Sequence, residues 1–198
     1  MPTERKRAPA LGESCFIDSP NRNFALQVTN PQRSIPVNLR LFKRLLRAVL
    51  GELYENFQCE LGVHLVSRSE ITRLNETFLH HRGPTDVVAF DYKGARTPSS
   101  ASSCEGSGSR LQGLADDGVC APVLHGEIFI CVDEALSQAH RFRTTWQSEL
   151  TRYLIHGLLH LRGYDDQHPA ARRRMKRQED RLLRRISKQF DLGRLKAQ

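Results

Sequence analysis

The stretch HGLLHLRGYDDQH, at residues 156–168 of the 198-residue chain, constrains the fold more than any other. Its apolar residues and the preceding Thr144 and Thr145 predict a helix that opens at one of these threonines and ends at about residue 161. His156 and His160 are four residues apart, so their imidazoles lie one turn apart on the same side of this helix. Gly163 then allows the chain to leave through a sharp turn.

This pattern is typical of a metal site. Two imidazole nitrogens one turn apart can bind the same ion, and Asp165, Asp166 or His168 can supply a third ligand after the glycine turn. Three protein ligands with an open fourth position are characteristic of catalytic zinc. The simpler interpretation is two structural histidines on a buried helix, and the acidic residues and histidine after the turn favour the metal site. Gly157 stands where metalloproteases carry a general-base glutamate, so peptide hydrolysis is disfavoured.

The rest of the chain alternates between strand and helix patterns. Period-2 and continuous apolar runs predict about four strands, and period-3.6 runs predict about five helices. The predicted strands span residues 24–28, 60–66, 86–92 and 126–132, and the helices span 37–53, a short segment after Ser67 or Ser69, 133–141, 144–161 and 170–190. The fold class is therefore α/β or α+β, in a single domain.

Composition divides the chain into segments. Residues 1–22 are predicted to be a flexible leader, and residues 23–190 form the domain. Residues 93–124 are rich in serine and glycine and are predicted to be a loop insertion. Residues 191–198 are predicted to be a basic tail.

Positive charge is concentrated at the C-terminal end. The net charge is +8, and residues 171–198 hold eleven lysines and arginines against three acidic residues. A basic segment of this kind suits the phosphates of a nucleic acid, although a solvated helix face is an equal alternative. The residues predicted to bind a nucleic acid are Arg172, Arg173, Arg174, Lys176 and Arg177.

Targeting and redox features are few. The five cysteines form no CxxC pair, so neither a disulfide framework nor a cysteine zinc site is expected. No apolar run is long enough for a membrane helix, and no apolar run follows the basic N-terminus as in a secretory signal. We expect a cytoplasmic protein that does not associate with a membrane.

Three ordered motifs resemble one family. HGLLHLRGYD resembles the HGxLHLxGYDH signature of the YbeY-type rRNA maturation factors, which are zinc-dependent endoribonucleases. The segments LN at 74–75 with PTDVVAF at 84–90, and HGEIFIC at 125–131, resemble two further family motifs. The resemblance implies a small mixed sheet covered by helices and a single-strand-specific endoribonuclease with one Zn²⁺ per chain. Its implied substrate is ribosomal RNA of the small subunit, processed late at its 3′ end, with a role in ribosome quality control.

Two departures from the family affect the site. The third family histidine falls on Asp166, so the resemblance implies His156, His160 and Asp166 as metal ligands, with His168 as the alternative third ligand. Leu79 stands where many relatives carry an arginine near the metal, and Arg82 is the candidate catalytic replacement. The interpretation of Arg82 as an ordinary loop arginine without a catalytic role fits the sequence equally well. These departures keep open an alternative function, a non-catalytic RNA-binding factor of ribosome assembly with a structural zinc.

Overall fold

The computed structural model describes residues 24–54, 58–92 and 123–197. Within these ranges, four strands form one mixed sheet in the order β1-β2-β4-β3. The strands are β1 (Phe24–Thr29), β2 (Gln58–Val66), β3 (Val87–Asp91) and β4 (Val123–Cys131). β1, β2 and β4 pair in parallel, and β3 pairs antiparallel with β4 at the edge. The predicted leader and nearly all of the predicted insertion lie outside the described residues.

In the part of the chain that the structure describes, five α-helices connect and cover these strands, as the sequence patterns predict. They are α1 (Leu39–Leu53), α2 (Arg68–Leu74), α3 (Val132–Phe142), α4 (Trp146–Leu161) and α5 (Pro169–Gln189). A π-helical turn at Asn75–Leu79 continues α2, and a 3-10 helix at Leu192–Leu195 follows α5. Within the described ranges, no helix is both long and apolar enough to cross a membrane.

The main hydrophobic core lies between one face of the sheet and the helices α1, α3, α4 and α5. Alternate residues of β4 point into it, so Ile128 and Ile130 are fully buried there. Phe129 and Cys131 point to the opposite face, where they pack with Ile71 of α2 in a smaller cluster. This alternation follows directly from the period-2 geometry of a strand. The fold class is confirmed as mixed α and β.

Two predicted boundaries differ from the structure. β4 begins at Val123, inside the segment predicted to be the insertion, because residues 123–131 pair in register with all of β2. Residues 191–197, predicted to be a basic tail, pack onto the body. Leu195 is completely buried, and its carbonyl oxygen accepts a hydrogen bond from the Asn38 backbone N–H at 2.8 Å. Burial of Leu195 and this backbone hydrogen bond therefore hold the segment against the body although it is basic.

Gly157 allows α4 to approach the sheet closely. A Cβ atom at this position would lie 2.8 Å from Ile128 Cγ2 and 3.3 Å from Val87 Cγ2. The first separation is shorter than any ordinary van der Waals contact, and both partners are β-branched side chains with little freedom to move. Gly157 therefore sets the distance at which α4 crosses β3 and β4.

We expect Gly157→Ala to lower the free energy of unfolding by about 1–3 kcal/mol, as overpacking in a core generally does. Gly51→Ala is the matched control, because Gly51 is also helical but its Cβ would meet nothing within 4 Å. That control is expected to gain about 0.5–1 kcal/mol from helix propensity alone. Urea denaturation of both variants measures the difference, and equal stability of the two would contradict the close approach.

Candidate metal centre

α4 carries the site because a polar stripe interrupts its buried surface. Glu149, Arg152, His156 and His160 follow one another at intervals of three or four residues, whereas most of the remaining residues of the helix are buried and apolar. Such spacing places the four side chains along one side of the helix. The two histidines are half-buried, so they face the edge of the core. Their rings lie edge to face, with centroids 4.7 Å apart.

Backbone geometry after α4 orients His160. Gly163 adopts a left-handed φ of 89°, and its N–H donates to the His160 carbonyl oxygen at 2.8 Å. The turn brings the Tyr164 carbonyl oxygen to 3.2 Å from His160 Nδ1. A carbonyl oxygen only accepts, so Nδ1 is the protonated nitrogen and Nε2 is the free ligand atom.

A carboxylate orients His156 in the same way. Glu179 lies on α5, and its Oε2 is 3.1 Å from His156 Nδ1. The other oxygen, Oε1, accepts from Arg152 Nη1 at 2.7 Å and from Lys176 Nζ at 3.1 Å. The Glu179 side chain is only 6% exposed, so this carboxylate is held almost entirely by the groups that surround it. His156 Nε2 is therefore left facing the site.

The two free nitrogens converge with Asp166. His156 Nε2 and His160 Nε2 are 3.1 Å apart, and a carboxylate oxygen of Asp166 completes a group whose ligand atoms all lie within 4.8 Å of one another. Two nitrogens bound to one tetrahedral zinc ion lie about 3.3 Å apart, which is close to this separation. Two lone pairs cannot face each other at 3.1 Å without a proton or a cation between them. The arrangement of these donors therefore fits a metal ion.

The pKa directions agree with this arrangement. Burial alone would lower the pKa of His156, but the hydrogen bond and charge of Glu179, together with the charges of Asp86 and Asp166, raise it above its usual value. Burial and the neighbouring charge of His156 lower the pKa of His160. A histidine nitrogen binds a metal ion only when it carries no proton, so metal binding at this pair is linked to pH.

Burial would raise the pKa of Glu179, but the hydrogen bonds from His156, Arg152 and Lys176 lower it to about 2. The carboxylate is therefore charged throughout the physiological range. Its negative charge favours any cation at His156, whether a proton or a metal ion.

The cluster opens onto a cavity of about 580 Å³ between α3, α4 and α5. Four carboxylates and three basic groups line it, together with neutral side chains. The charged residues are Asp86, Glu149, Asp166, Glu179, Arg152, Arg172 and Lys176. Asp86 precedes β3, and its Oδ1 accepts from the Val87 backbone N–H at 3.0 Å. Without a metal ion the negative groups exceed the positive ones, and one divalent ion reverses that balance.

The structure brings together some predicted site residues and leaves others apart. His156, His160 and Asp166 form the cluster, whereas His168 is exposed and does not belong to it. The choice of Asp166 over His168 as the third ligand agrees with this geometry. The Arg82 side chain is exposed and is not part of the cavity lining.

The predicted RNA-binding residues also separate into two groups. Arg172 and Lys176 line the cavity, and Arg172 Nε donates to the Asp166 carbonyl oxygen at 2.9 Å. Arg173, Arg174 and Arg177 are exposed on α5 and are not part of the cavity lining. Their contribution to RNA binding stays a prediction.

Sequence reasoning missed Glu179 and Arg152, although both carry a recognisable signal. Glu179 lies in the buried stripe of α5 with Met175, Leu182 and Ile186. A carboxylate in such a stripe must have partners, because an isolated buried charge is very costly. Arg152 is four residues before His156 on the same helix side and supplies one of those partners.

Comparison with known proteins decides the family. The family described as endoribonuclease YbeY matches residues 27–187 of this chain. The chain belongs to the endoribonuclease YbeY family. It is 33% identical to the endoribonuclease YbeY of Salinibacter ruber over 126 residues, which cover 64% of this chain and 69% of that protein. The resemblance inferred from the three motifs is thus confirmed at the level of the family.

Other relatives agree. The endoribonuclease YbeY of Chlorobium luteolum is 36% identical over 58% of this chain and 64% of its own length. The Corynebacterium efficiens protein of the same name is 30% identical over 81% of this chain and 74% of its own length. The matches to these three relatives cover 64–74% of the relatives' own lengths.

A solution structure of protein TM1509 from Thermotoga maritima has the same fold. It superimposes with a TM-score of 0.52 at 22% identity, covering 85% of this chain and 93% of that one. At this level of identity the likeness supports the fold alone.

We expect Glu179→Gln to weaken binding of Zn²⁺, used as a probe ion, by about 10- to 100-fold, because hydrogen-bond partners of ligating histidines commonly have effects of this size. The Gln side chain keeps the shape but removes the negative charge beside His156. Competition with a chromophoric chelator measures the affinity. Asp180→Asn is the matched control, because Asp180 also pairs with Arg152 and Lys176 but not with His156. An equal loss in both variants would contradict a specific role for Glu179.

Proposed function

We propose that this chain is a zinc-dependent endoribonuclease that cleaves single-stranded ribosomal RNA. The observation that carries the proposal is the convergence of His156 Nε2, His160 Nε2 and the Asp166 carboxylate beside a cavity that basic residues help to line. Membership of the YbeY family supports RNA as the substrate. We further propose the small-subunit RNA, processed late at its 3′ end, with a role in ribosome quality control, and a cytoplasmic location.

Under this proposal, different residues bind the metal ion and the RNA. A zinc ion with an open coordination position lowers the pKa of bound water and polarises a phosphoryl oxygen. Glu179 and the Tyr164 carbonyl oxygen fix the histidine rings, so that both Nε2 atoms are directed to the same point. Arg172 and Lys176 add positive charge to the cavity wall and attract phosphates without regard to base sequence.

Several features favour a catalytic ion over a structural one. Structural zinc is almost always bound by four protein ligands, whereas the described residues offer a group of three here. Two of the three ligands, His156 and Asp166, also line the cavity, so a substrate has access to the ion. The alternative of an assembly factor with a structural zinc has no comparable support. Gly157 has no side chain that could transfer a proton. Its close packing against Ile128 is the structural reason for a glycine at this position.

Cleavage of a 5′-labelled, unstructured RNA by the zinc-loaded protein tests this function. We expect His160→Ala to reduce cleavage to background, because it removes a ligand atom that no other described residue replaces. His168→Ala is the matched control, since His168 is an exposed histidine outside the cluster, and it is expected to cleave like the wild type. Circular dichroism establishes that both variants are folded.

Two results would contradict the proposal. One is wild-type protein that is folded, loaded with zinc and bound to RNA but does not cut it, which would favour the assembly factor. The other is undiminished cleavage by His160→Ala.

A further inference from the structure

Phe142 is exposed although its position in the helix predicts burial. The buried residues of α3 are Val132, Ala135 and Ala139, and Phe142 is the next position of the same stripe. It is nevertheless 61% exposed, and it is one of two large hydrophobic side chains exposed in the part of the chain that the structure describes. Single exposed hydrophobic residues are common. Whether the exposed Phe142 ring can bind a ligand therefore depends on its surroundings.

The end of α3 holds Phe142 at the rim of the cavity. Arg143 follows it with a left-handed φ of 55°, which is uncommon for any residue other than glycine. The Thr144 backbone N–H donates to the Ala139 carbonyl oxygen at 3.0 Å, and the Thr144 hydroxyl donates to Glu149 Oε1 at 2.7 Å. These contacts tie the turn to α4. The ring is thus presented from a firmly attached turn.

One side of the ring already carries a cation. The Arg141 guanidinium carbon lies 5.5 Å from the centroid of the Phe142 ring, within the usual range of a cation–π contact. An aromatic ring has two faces, and the exposure of Phe142 leaves room for a flat partner. Nucleobases are flat partners of this kind, and they stack on phenylalanine in many proteins that bind single-stranded RNA.

The same cavity joins this ring to the candidate metal centre. Phe142 lies among its lining residues with His156 and Asp166 of the metal cluster and with Arg172 and Lys176 of α5. Its volume, about 580 Å³, lies within the range of pockets that enclose small organic ligands. The cavity therefore offers an aromatic ring for a base, basic groups for the phosphates and the metal cluster for the scissile bond.

We propose that Phe142 stacks on an unpaired base of the RNA, next to the phosphate that lies at the metal centre. This inference rests on the proposed function and deepens it by naming a base-binding subsite. Stacking is tolerant of sequence because every base has a π face. The subsite therefore selects unpaired nucleotides over paired ones, whose bases are already stacked within a duplex.

Fluorescence anisotropy with two RNA oligomers of about ten nucleotides tests the proposal on the zinc-loaded protein. One is a single-stranded RNA, and the other is a ribose-phosphate oligomer of the same length without bases. Phosphorothioate linkages in both slow their hydrolysis. We expect Phe142→Leu to weaken binding of the first roughly 5- to 150-fold, the range measured for loss of one stacked base, and to leave the second unchanged. Phe142→Tyr retains an aromatic ring and is expected to bind like the wild type.

The outcomes separate this inference from the function on which it rests. If the wild type binds both oligomers and Phe142→Leu binds both equally well, the base subsite is overturned and the endoribonuclease remains. Equal weakening of both oligomers by Phe142→Leu also overturns stacking, because the second oligomer has no base to stack. If the wild type binds neither oligomer, the proposed function fails and the subsite with it. Thermal denaturation shows whether each variant is folded.

Discussion

The position of α4 on the sheet is the constraint on which the structure depends. Because Gly157 has no Cβ atom, the helix can approach β3 and β4 so closely that a Cβ at this position would clash with Ile128. Burial of the leucines on either side then fixes the rotation of the helix, because apolar side chains gain most free energy when they face the core. That rotation determines where His156 and His160 emerge. The packing that stabilises the domain therefore also aligns two ligand atoms.

The link between α4 and α5 completes the site. Glu179 accepts hydrogen bonds from Arg152 and Lys176 and holds His156 Nδ1, so one buried carboxylate joins two helices to one imidazole. Removal of one partner from a buried ion pair generally costs about 3–5 kcal/mol, because the other charge is left without compensation. Such a network fixes the arrangement of its side chains in addition to stabilising the fold. It excludes other orientations of the ring and keeps negative charge next to the cation that the ring binds.

Much of the fold and part of the site could be predicted from the sequence. The period-3.6 pattern of α4 and the spacing of His156 and His160 are local, so a sequence shows them directly. The choice of Asp166 over His168 depended on the family register, and the structure agrees because the Gly163 turn directs Asp166 to the cluster and leaves His168 exposed. Glu179 acts from α5, and only tertiary packing brings it to His156. Phe142 could not be recognised from its pattern, because its stripe position predicts a buried residue.

The central claim is that two imidazoles and one carboxylate hold a metal ion. X-ray absorption spectroscopy at the zinc edge of the purified, zinc-loaded protein tests it most directly, because imidazole ligands produce outer-shell scattering that a carboxylate does not. The account predicts one zinc per chain with two imidazoles, and loss of the ion in Asp166→Ala but not in His168→Ala. A zinc bound by three imidazoles, or a folded protein that binds no zinc, would contradict it.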